Sequence, residues 1–445
     1  MSERQRCDLP WCEPWPLVQG LAAALGHDGL VFLDGDGSSL GRRSVLGLKP
    51  QEVICCRGLP GSPGAEDPFL ALERMAARGG PWLGWLGYEA GAWVEPGRHW
   101  QASDMASLWA ARHDPLLHFD RLERRCWLEG EDPARLEAMR RLLVELQCAG
   151  PEPASPQPPS LEPMGLERIG LEAWHWHTPA EQFARQVGEL QRRIASGDLF
   201  QANLTACCET LLERPPDLLG LHGRLRHHCP APFGGLVVAG DEALISASPE
   251  RFLQLGADGS IETRPIKGTR PRSADPEADA DSAAALVCDP KDRAENVMIV
   301  DLMRNDLGRV CVAGSIDVPQ LLGLESYAQV HHLTSVVTGQ LQPGRQLVDL
   351  LRACWPGGSI TGAPKVRACR RLNELEPVAR GPYCGSLFHL GADGSFDSSI
   401  LIRTLMVKGR RLRLHAGCGI VADSDPQGEA VEMGWKIRPL LEALA

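Results

Sequence analysis

The chain has 445 residues, of which 43% are hydrophobic and 23% are charged, as in ordinary globular proteins. Its formal net charge is −11, with 46 lysines and arginines against 57 aspartates and glutamates. This balance argues against a nucleic acid or an anionic membrane as the partner, because both attract a net positive surface. A small anionic ligand stays possible, since it needs only a few local cations.

The sequence also lacks the marks of export. No segment approaches the roughly 18 consecutive apolar residues of a membrane-spanning helix, and residues 1–8 lack the apolar stretch of a secretory signal. The 15 cysteines are odd in number and contain no C-x-x-C spacing, which predicts reduced thiols rather than a disulfide framework. We expect a soluble, cytoplasmic protein that binds neither nucleic acid nor membrane.

A proline-rich stretch divides the chain into two regions. Residues 150–160, GPEPASPQPPS, carry almost no apolar side chains and predict an extended linker. We place an N-terminal region at 1–150, the linker at 151–165 and a larger domain at 166–445. The first region is rich in tryptophan and short β-like runs. The second mixes helices and strands without the strict alternation of a parallel sheet.

Short sequence patterns in the larger domain predict a helix that starts near residue 180 and a loop or short helix at 273–285. Residues 178–181, Thr-Pro-Ala-Glu, form a capping box pattern with proline at the first helical position. Apolar residues then recur at helical spacing from Phe183 until Gly197 ends the run. Residues 273–285 are acidic and rich in alanine, and they predict a mobile loop or a short surface helix.

Asp-Pro steps at 289–290 and 425–426 predict two further helices, which run toward residues 308 and 444. Each helix carries two acids three residues apart, on one face: Asp292 with Glu295, and Glu429 with Glu432. Four carboxylates converging from two helices would suit Mg²⁺, a hard ion that takes oxygen ligands. Acids in a first turn also stabilise the helix dipole, so either pair alone is equally consistent with a purely structural role.

The segment 265–272 is cationic and rich in turn residues, with Lys267 between isoleucine and glycine. Such a lysine is often ordinary loop charge. If it is desolvated near other cations, its pKa falls and the neutral amine becomes a nucleophile. Lowering a lysine pKa from about 10.4 to about 7.5 requires roughly 4 kcal/mol of environmental bias.

Residues 355–365, WPGGSITGAPK, are a glycine-rich turn that leads into a helix with Pro364 near its start. Free backbone N–H groups at such a start favour an anion, although a simple helix entry gives the same pattern. The spacing does not match a P-loop. Residues 416–419 offer a second backbone that a ligand can approach closely, and Cys418 within them is expected to pack rather than react.

Taken together and in order, these motifs resemble the chorismate-utilising enzymes. The resemblance rests on the following segments: 248–252 (SPERF), 265–269 (PIKGT), 295–306 (ENVMIVDLMRND), 331–333 (HHL), 356–365, 402–404 (IRT) and 419–424 (GIVADS). It is dense over 170–445 and looser around 84–91. It implies an α+β fold in which two antiparallel β-sheets pack as a sandwich with helices outside and the site in the cleft. The N-terminal region would add flanking strands.

The resemblance also implies the ligands of the site. Mg²⁺ would be held by Glu295 and Glu432, with Asp292 and Glu429 close by, and would bind the ring carboxylate of chorismate. Asp292 departs from relatives that carry glutamate there, which suggests a water-mediated contact. Substrate-binding roles fall on seven residues: Thr269, Thr361, Tyr383, Arg403, Gly417, Gly419 and Lys436. For Lys436 the alternative is to balance the acidic cluster.

Two positions indicate the branch of the family. A lysine at the position of Lys267 is typical of the aminodeoxychorismate synthase branch, which leads to p-aminobenzoate and folate, whereas the anthranilate synthase branch usually carries alanine. Gln201 stands where isochorismate and salicylate synthases usually have a water-activating lysine, which disfavours water as the nucleophile. The anthranilate activity and a non-catalytic chorismate-binding subunit remain the alternatives. The acids and lysine of the site argue against the latter.

The resemblance suggests a mechanism. As a hypothesis, neutral Lys267 attacks C2 of chorismate while Glu250 protonates the departing C4 hydroxyl, and ammonia then attacks C4 and expels the lysine. His332 would orient the site. The sequence contains no G-x-C-x-G nucleophile elbow with a following histidine and glutamate. The resemblance therefore implies that a separate glutamine amidotransferase subunit supplies the ammonia.

Overall fold

The computed structural model describes residues 4–148, 169–327 and 330–445, so the predicted linker at 151–165 lies outside the described residues. The helices are α1 (Pro14–Leu25), α2 (Pro68–Arg78), α3 (Pro133–Cys148), α4 (Ala180–Ala195), α5 (Leu218–His228), α6 (Pro276–Cys288), α7 (Pro290–Gly308), α8 (Leu347–Cys354), α9 (Lys365–Leu375) and α10 (Pro426–Leu444). Among the described residues, no helix combines the length and the apolar character that crossing a bilayer demands.

The strands are β1 (Gln5–Leu9), β2 (Val31–Asp34), β3 (Arg43–Gly47), β4 (Glu52–Cys56), β5 (Trp82–Leu86), β6 (Leu108–Arg112), β7 (Leu116–Asp120), β8 (Arg125–Gly130), β9 (His175–Trp176), β10 (Gln201–Leu211), β11 (Phe233–Ala239), β12 (Glu242–Ser248), β13 (Arg251–Leu255), β14 (Ser260–Thr263), β15 (Ile266–Pro271), β16 (Asp317–Ser326), β17 (Val330–Gln340), β18 (Gly362–Ala363), β19 (Ser386–Leu390), β20 (Phe396–Ile400), β21 (Thr404–Lys408) and β22 (Arg411–Ile420).

The strands form two large antiparallel sheets. The first runs β1-β8-β7-β3-β2-β11-β12-β21-β22-β10-β18, with β9 paired to β10. The second runs β15-β17-β14-β13-β20-β19-β5-β6-β4, with β16 paired to β17. Strand β2 pairs with β11 in the first sheet, and β5 pairs with β19 in the second. Residues before and after the proline-rich stretch therefore share both sheets.

Alternating residues of the first sheet's central strands face two different cores. Val237 of β11 and Met406 of β21 lie in a cluster that includes residues of the second sheet. Their neighbours Leu236 and Leu405 lie in a second cluster, with residues of α1, α4, α5 and α10. This period of two places one face of the sheet against the other sheet and the opposite face against helices. The predicted α+β sandwich with outer helices is confirmed.

The two Asp-Pro helix starts are confirmed. The side chain of Asp289 accepts a hydrogen bond from the backbone N–H of Asp292, and Asp425 accepts one from Gly428. Each cap satisfies a backbone donor that would otherwise be unpaired at the helix start. Both caps hold the first turns of α7 and α10 in place, and these turns carry acids of the site. Helix α6 confirms the helical alternative for residues 273–285.

The capping box at 178–181 is not formed. Helix α4 begins at Ala180 because the carbonyl of Pro179 accepts the backbone N–H of Phe183, which makes proline the cap residue. The side chain of Thr178 is buried, and its hydroxyl has no hydrogen-bond partner among the described residues. Proline at the cap offers no side-chain acceptor, so the predicted reciprocal bonds do not occur.

Candidate active site

The strands β10, β15 and β22 and the helix α7 meet at Gly419. A Cβ atom added to Gly419 would lie 2.7 Å from Gln201 Nε2, 3.0 Å from Glu295 Oε2 and 3.3 Å from Lys267 Nζ. The missing side chain therefore lets three polar groups converge on one stretch of backbone. Lys267 Nζ lies 3.8 Å from Glu295 Oε2, so the predicted nucleophile and a predicted metal ligand are neighbours.

The glycine that follows Lys267 allows β15 to pass close to α7. Gly268 has φ of +87°, and an added Cβ would lie 2.9 Å from Asp292 Cγ and 2.8 Å from Leu286 Cδ1. A larger residue would be strained in its backbone and would push against α7. The Lys-Gly pair thus fixes how the lysine approaches the acids.

The predicted pair on α10 lies among basic groups. Glu429 is buried and accepts hydrogen bonds from Ser424 Oγ at 2.7 Å and Lys291 Nζ at 2.8 Å. Glu432 Oε1 lies 2.8 Å from Lys436 Nζ. One potential ligand atom from each of Glu429, Glu432 and Cys418 lies within 4.8 Å of the other two. The carboxylates of α10 are therefore close enough together to share one cation.

The two predicted acids of α7, Asp292 and Glu295, both have raised pKa values. Burial raises the pKa of Glu295, and the carboxylates of Asp292 and Glu429 add to the effect, while Lys267 opposes it. Burial also raises the pKa of Asp292, assisted by Asp289 and opposed by Arg270. Carboxylates whose ionised form is disfavoured by their surroundings gain most from a bound cation. The carboxylate oxygens of Glu429 and Glu432 fit Mg²⁺, whereas among the described residues neither Asp292 nor Glu295 belongs to a group of three ligand atoms within 4.8 Å of one another.

Glu250 is a buried carboxyl between β12 and β13. It is 5% exposed, and Ser359 Oγ donates a hydrogen bond to its Oε1 at 2.8 Å. Burial raises the pKa of Glu250 to about 7, although Ser359 and the charge of Lys267 oppose the rise. A carboxyl that keeps its proton near neutral pH can serve as a general acid, as the hypothesis requires.

His332 is neutral in its setting. Its Nδ1 lies 2.8 Å from Thr269 Oγ1, which joins two residues predicted for the site. Burial lowers the pKa of His332 to about 3, and the nearby charge of Arg403 contributes. The imidazole therefore acts as a hydrogen-bonding group without a positive charge, which suits an orienting role.

Arg403 offers an unpaired positive charge. No carboxylate within ion-pair distance and no hydrogen-bond partner of its guanidinium is found among the described residues. Burial lowers its pKa, although the residue as a whole is only half-buried. A partly desolvated charge without a partner is costly, and an anion that binds to it offsets that cost. The geometry fits the predicted role of Arg403 as a carboxylate receptor.

Other predicted binding residues are held by the protein itself. Tyr383 stacks on His415 with ring centroids 4.9 Å apart. Thr361 Oγ1 donates to the carbonyl of Gly357 at 2.8 Å inside the glycine-rich turn. Lys436 Nζ binds the carbonyl of Gly417 at 3.0 Å in addition to Glu432, an arrangement that matches the acid-balancing alternative. Their contacts with substrate stay predictions.

Two residues near the site, Ser359 and His415, were not among the predicted site residues. Ser359 lies in the glycine-rich turn, but only its distance to Glu250 marks it. His415 is 2% exposed, and neither ring nitrogen has a hydrogen-bond partner among the described residues. It shares a strand face with Gly417 and Gly419, and that alternation was the one signal available in the sequence.

Comparison with known proteins agrees with this geometry. The family model described as chorismate binding enzyme matches residues 63–442. Aminodeoxychorismate synthase component 1 of Klebsiella aerogenes is 38% identical over 431 residues, which cover 96% of this chain and 89% of that protein. Anthranilate synthase component 1 of Streptomyces coelicolor is 37% identical over 431 residues, covering 89% and 81%. The crystal structure of anthranilate synthase component I from Streptococcus pneumoniae superposes with a TM-score of 0.76 at 29% identity, covering 90% and 92%.

Proposed function

The chain belongs to the chorismate-binding enzyme family, and we propose that it is the component of an aminodeoxychorismate synthase that converts chorismate and ammonia to 4-amino-4-deoxychorismate. The observation that carries the proposal is Lys267, which lies 3.8 Å from Glu295 and beside the backbone of Gly419. The relatives alone do not decide between the two branches, because one aminodeoxychorismate synthase and one anthranilate synthase match at nearly equal identity.

The surroundings of Lys267 support an amine that reacts inside the site. Its side chain is 14% exposed, so bulk water has little access. Of the two conditions considered for a reactive lysine, burial and nearby cations, burial is met, and the neighbouring charged group at 3.8 Å is the carboxylate of Glu295. Glu295, Glu432, Asp292 and Glu429 would hold Mg²⁺, which when bound supplies the positive charge that neutralises the ring carboxylate of chorismate.

The proposed chemistry assigns one role to each of the chain's own residues. Neutral Lys267 forms a bond to C2 of chorismate, the two ring double bonds shift from C1=C2 and C5=C6 to C1=C6 and C4=C5, and the C4–O bond breaks. Glu250 gives its proton to the departing hydroxyl, which leaves as water. Ammonia then forms a bond to C4, the C2–N bond breaks, and Lys267 returns as the free amine. Glu250 recovers its proton from the new ammonium group, so the net change is chorismate plus ammonia to product plus water.

Arg403 and Tyr383 would hold the enolpyruvyl side of the substrate. The unpaired guanidinium of Arg403 supplies a charge-assisted bond to carboxylate, and the ring of Tyr383 is fixed by its stack on His415. His332, held by Thr269, would orient the site, and Lys436 would balance Glu432.

We propose a glutamine amidotransferase subunit as the partner and source of ammonia. The Klebsiella relative is named component 1, which implies a second component. Free ammonium at high concentration should support turnover by this chain alone, whereas glutamine should work only after the partner is added.

The assay that tests this function combines the purified chain with chorismate, Mg²⁺ and ammonium. The expected product is 4-amino-4-deoxychorismate, detected as p-aminobenzoate once an aminodeoxychorismate lyase is added. Formation of fluorescent anthranilate without a lyase would assign the chain to the anthranilate branch. Absence of any chorismate consumption would favour a non-catalytic subunit.

Replacing Arg403 with methionine is expected to raise the KM for chorismate by roughly 10- to 100-fold, the loss of one charge-assisted contact. The melting temperature should stay the same or rise, because the guanidinium has no protein partner to lose. Steady-state kinetics and thermal melting check the two effects.

Arg413→Met is the matched control. Arg413 pairs with Asp104 at 3.2 Å and with Glu209 at 3.3 Å, so its loss should lower the melting temperature and leave the KM near its normal value. If Arg403→Met shows that same pattern, Arg403 stabilises the fold and does not bind the substrate.

A further inference from the structure

Ser359 forms a buried contact with the acid of the mechanism. Its hydroxyl donates to Glu250 Oε1 at 2.8 Å, and the two residues are 8% and 5% exposed. Among the described residues, this is the one side-chain hydrogen bond that the Glu250 carboxyl receives. The carboxyl torsion of a glutamate has broad, weakly defined preferences, so a free carboxyl would sample many orientations. A partner is needed to fix it.

The turn that carries Ser359 is held from several sides. Arg380 Nη1 donates to the carbonyl of Ile360 at 2.8 Å. Lys365 Nζ binds Asp306 Oδ2 at 2.6 Å and the carbonyl of Cys354 at 2.8 Å. These bonds join the turn to α7 and to Arg380, which is buried. The Ser359 hydroxyl therefore sits on a rigid support, as a residue that orients a catalytic group must.

We propose that Ser359 is a positioning residue for Glu250: its hydroxyl occupies Oε1 and leaves Oε2 to carry the proton that is given to the C4 oxygen of chorismate. The proposal rests on the proposed function for the identity of the proton acceptor. A carboxylic acid has one transferable proton, and a hydrogen bond accepted by one oxygen selects the other oxygen as the donor. Ser359 itself does not touch the reacting atoms.

The groups that face Glu250 set the expected pH response. Lys267 approaches from β15 with the backbone N–H of Ile266, and Ser359 approaches from the turn. All three favour the ionised carboxylate, while burial favours the protonated acid and raises the pKa of Glu250 to about 7. Removing the Ser359 hydroxyl deletes one of the groups that favour ionisation. The pKa of Glu250 should then rise further.

The test compares Ser359→Ala, Ser359→Thr and the wild-type chain. Ser359→Ala is expected to lower kcat about tenfold, the effect of losing one oriented hydrogen bond, with KM for chorismate unchanged within about twofold. Ser359→Thr keeps the hydroxyl and should restore most of kcat. Each rate is measured at one fixed concentration of un-ionised ammonia, so that ammonium titration does not enter the comparison.

Ser398→Ala is the matched control, because Ser398 is also a buried serine and its hydroxyl binds the carbonyl of Leu253 at 3.0 Å. It should leave kcat and the pH response unchanged. The titration of Glu250 is followed by the infrared band of the protonated carboxyl. Glu250→Gln identifies that band, since burial also raises the pKa of Glu89 to about 7.

The expected result is a Glu250 titration at higher pH in Ser359→Ala than in the wild-type chain, together with the loss of kcat. An unchanged titration, or a loss of kcat that Ser359→Thr does not rescue in a folded protein, overturns the proposal. A wild-type chain that consumes no chorismate contradicts the proposed function instead. The infrared titration still shows, in that case, whether Ser359 controls the Glu250 carboxyl.

Discussion

Lys267→Ala should lower kcat for 4-amino-4-deoxychorismate formation at least about 1,000-fold, which corresponds to roughly 4 kcal/mol of transition-state stabilisation. The reason is that the variant loses the nucleophile, while Glu250 and Glu295 stay in place to protonate and to bind. The KM for chorismate should change little. Steady-state rates with ammonium at saturating Mg²⁺ measure both constants.

Lys267→Arg separates the nucleophile from the charge. Arginine keeps a positive group near Glu295 but stays protonated at any accessible pH, so it cannot attack C2. It should be as inactive as Lys267→Ala. Activity close to that of the wild-type chain in Lys267→Arg would show that the site needs the charge and not the amine. Lys408 ends β21, where it pairs with Asp241 and Glu242, and none of these residues is used by the mechanism, so Lys408→Ala should leave the rate unchanged.

Glu295→Gln is the second substitution with a large expected effect. Glu295 is 8% exposed, lies 3.8 Å from Lys267 Nζ, and feels the charges of Asp292 and Glu429, so an amide there removes a carboxylate that lies between the acids of the two helices and the lysine. We expect kcat to fall at least about 100-fold and the Mg²⁺ concentration for half-maximal rate to rise at least about tenfold. A Mg²⁺ titration of the initial rate, with calorimetric binding of Mg²⁺, measures the two effects.

Asp301→Asn is the control on the same helix. Its side chain is 81% exposed, on the face of α7 away from the acids, and its loss should leave Mg²⁺ dependence unchanged. If Glu295→Gln retains the Mg²⁺ response of the wild-type chain, Glu295 does not hold the ion. The acids of α10 alone would then have to supply the site.

Local signals in the sequence predicted the helices that carry the acids. The Asp-Pro starts of α7 and α10 depend on a hydrogen bond between a side chain and a backbone group three residues later. Both partners lie within one short segment, so the cap can be predicted from the local sequence. The start of α4 shows the limit of such patterns. Thr178 fits a capping box, yet it turns inward because burial of its side chain competes with the cap.

The sequence pattern does not predict which distant strands pair with each other. The pairing of β2 with β11 and of β5 with β19 joins segments about 200 and about 300 residues apart, and strand periodicity does not specify such partners. The sandwich was expected only from the resemblance. The same limit applies to Ser359 and Glu250, which are 109 positions apart in the chain.

Whether an acid pairs with Arg403 could be learned only from the structure. The sequence places an arginine before a threonine in an Ile-Arg-Thr segment, but it does not show whether an acid neutralises the charge. Only the arrangement of all neighbouring elements shows that the guanidinium lacks an acidic partner among the described residues. An arginine that an acid neutralises and an arginine that is free to bind an anion look the same in the sequence.

Intact-protein mass spectrometry of the chain mixed with chorismate and Mg²⁺ in ammonia-free buffer tests the covalent role of Lys267 most directly. We predict an adduct with the mass of chorismate less one water, mapped by peptide analysis to Lys267 and discharged as 4-amino-4-deoxychorismate when ammonium is added. The adduct should be absent in Lys267→Ala. A fully active wild-type chain that forms no adduct, together with a Lys267→Ala variant that retains normal turnover, would contradict the account.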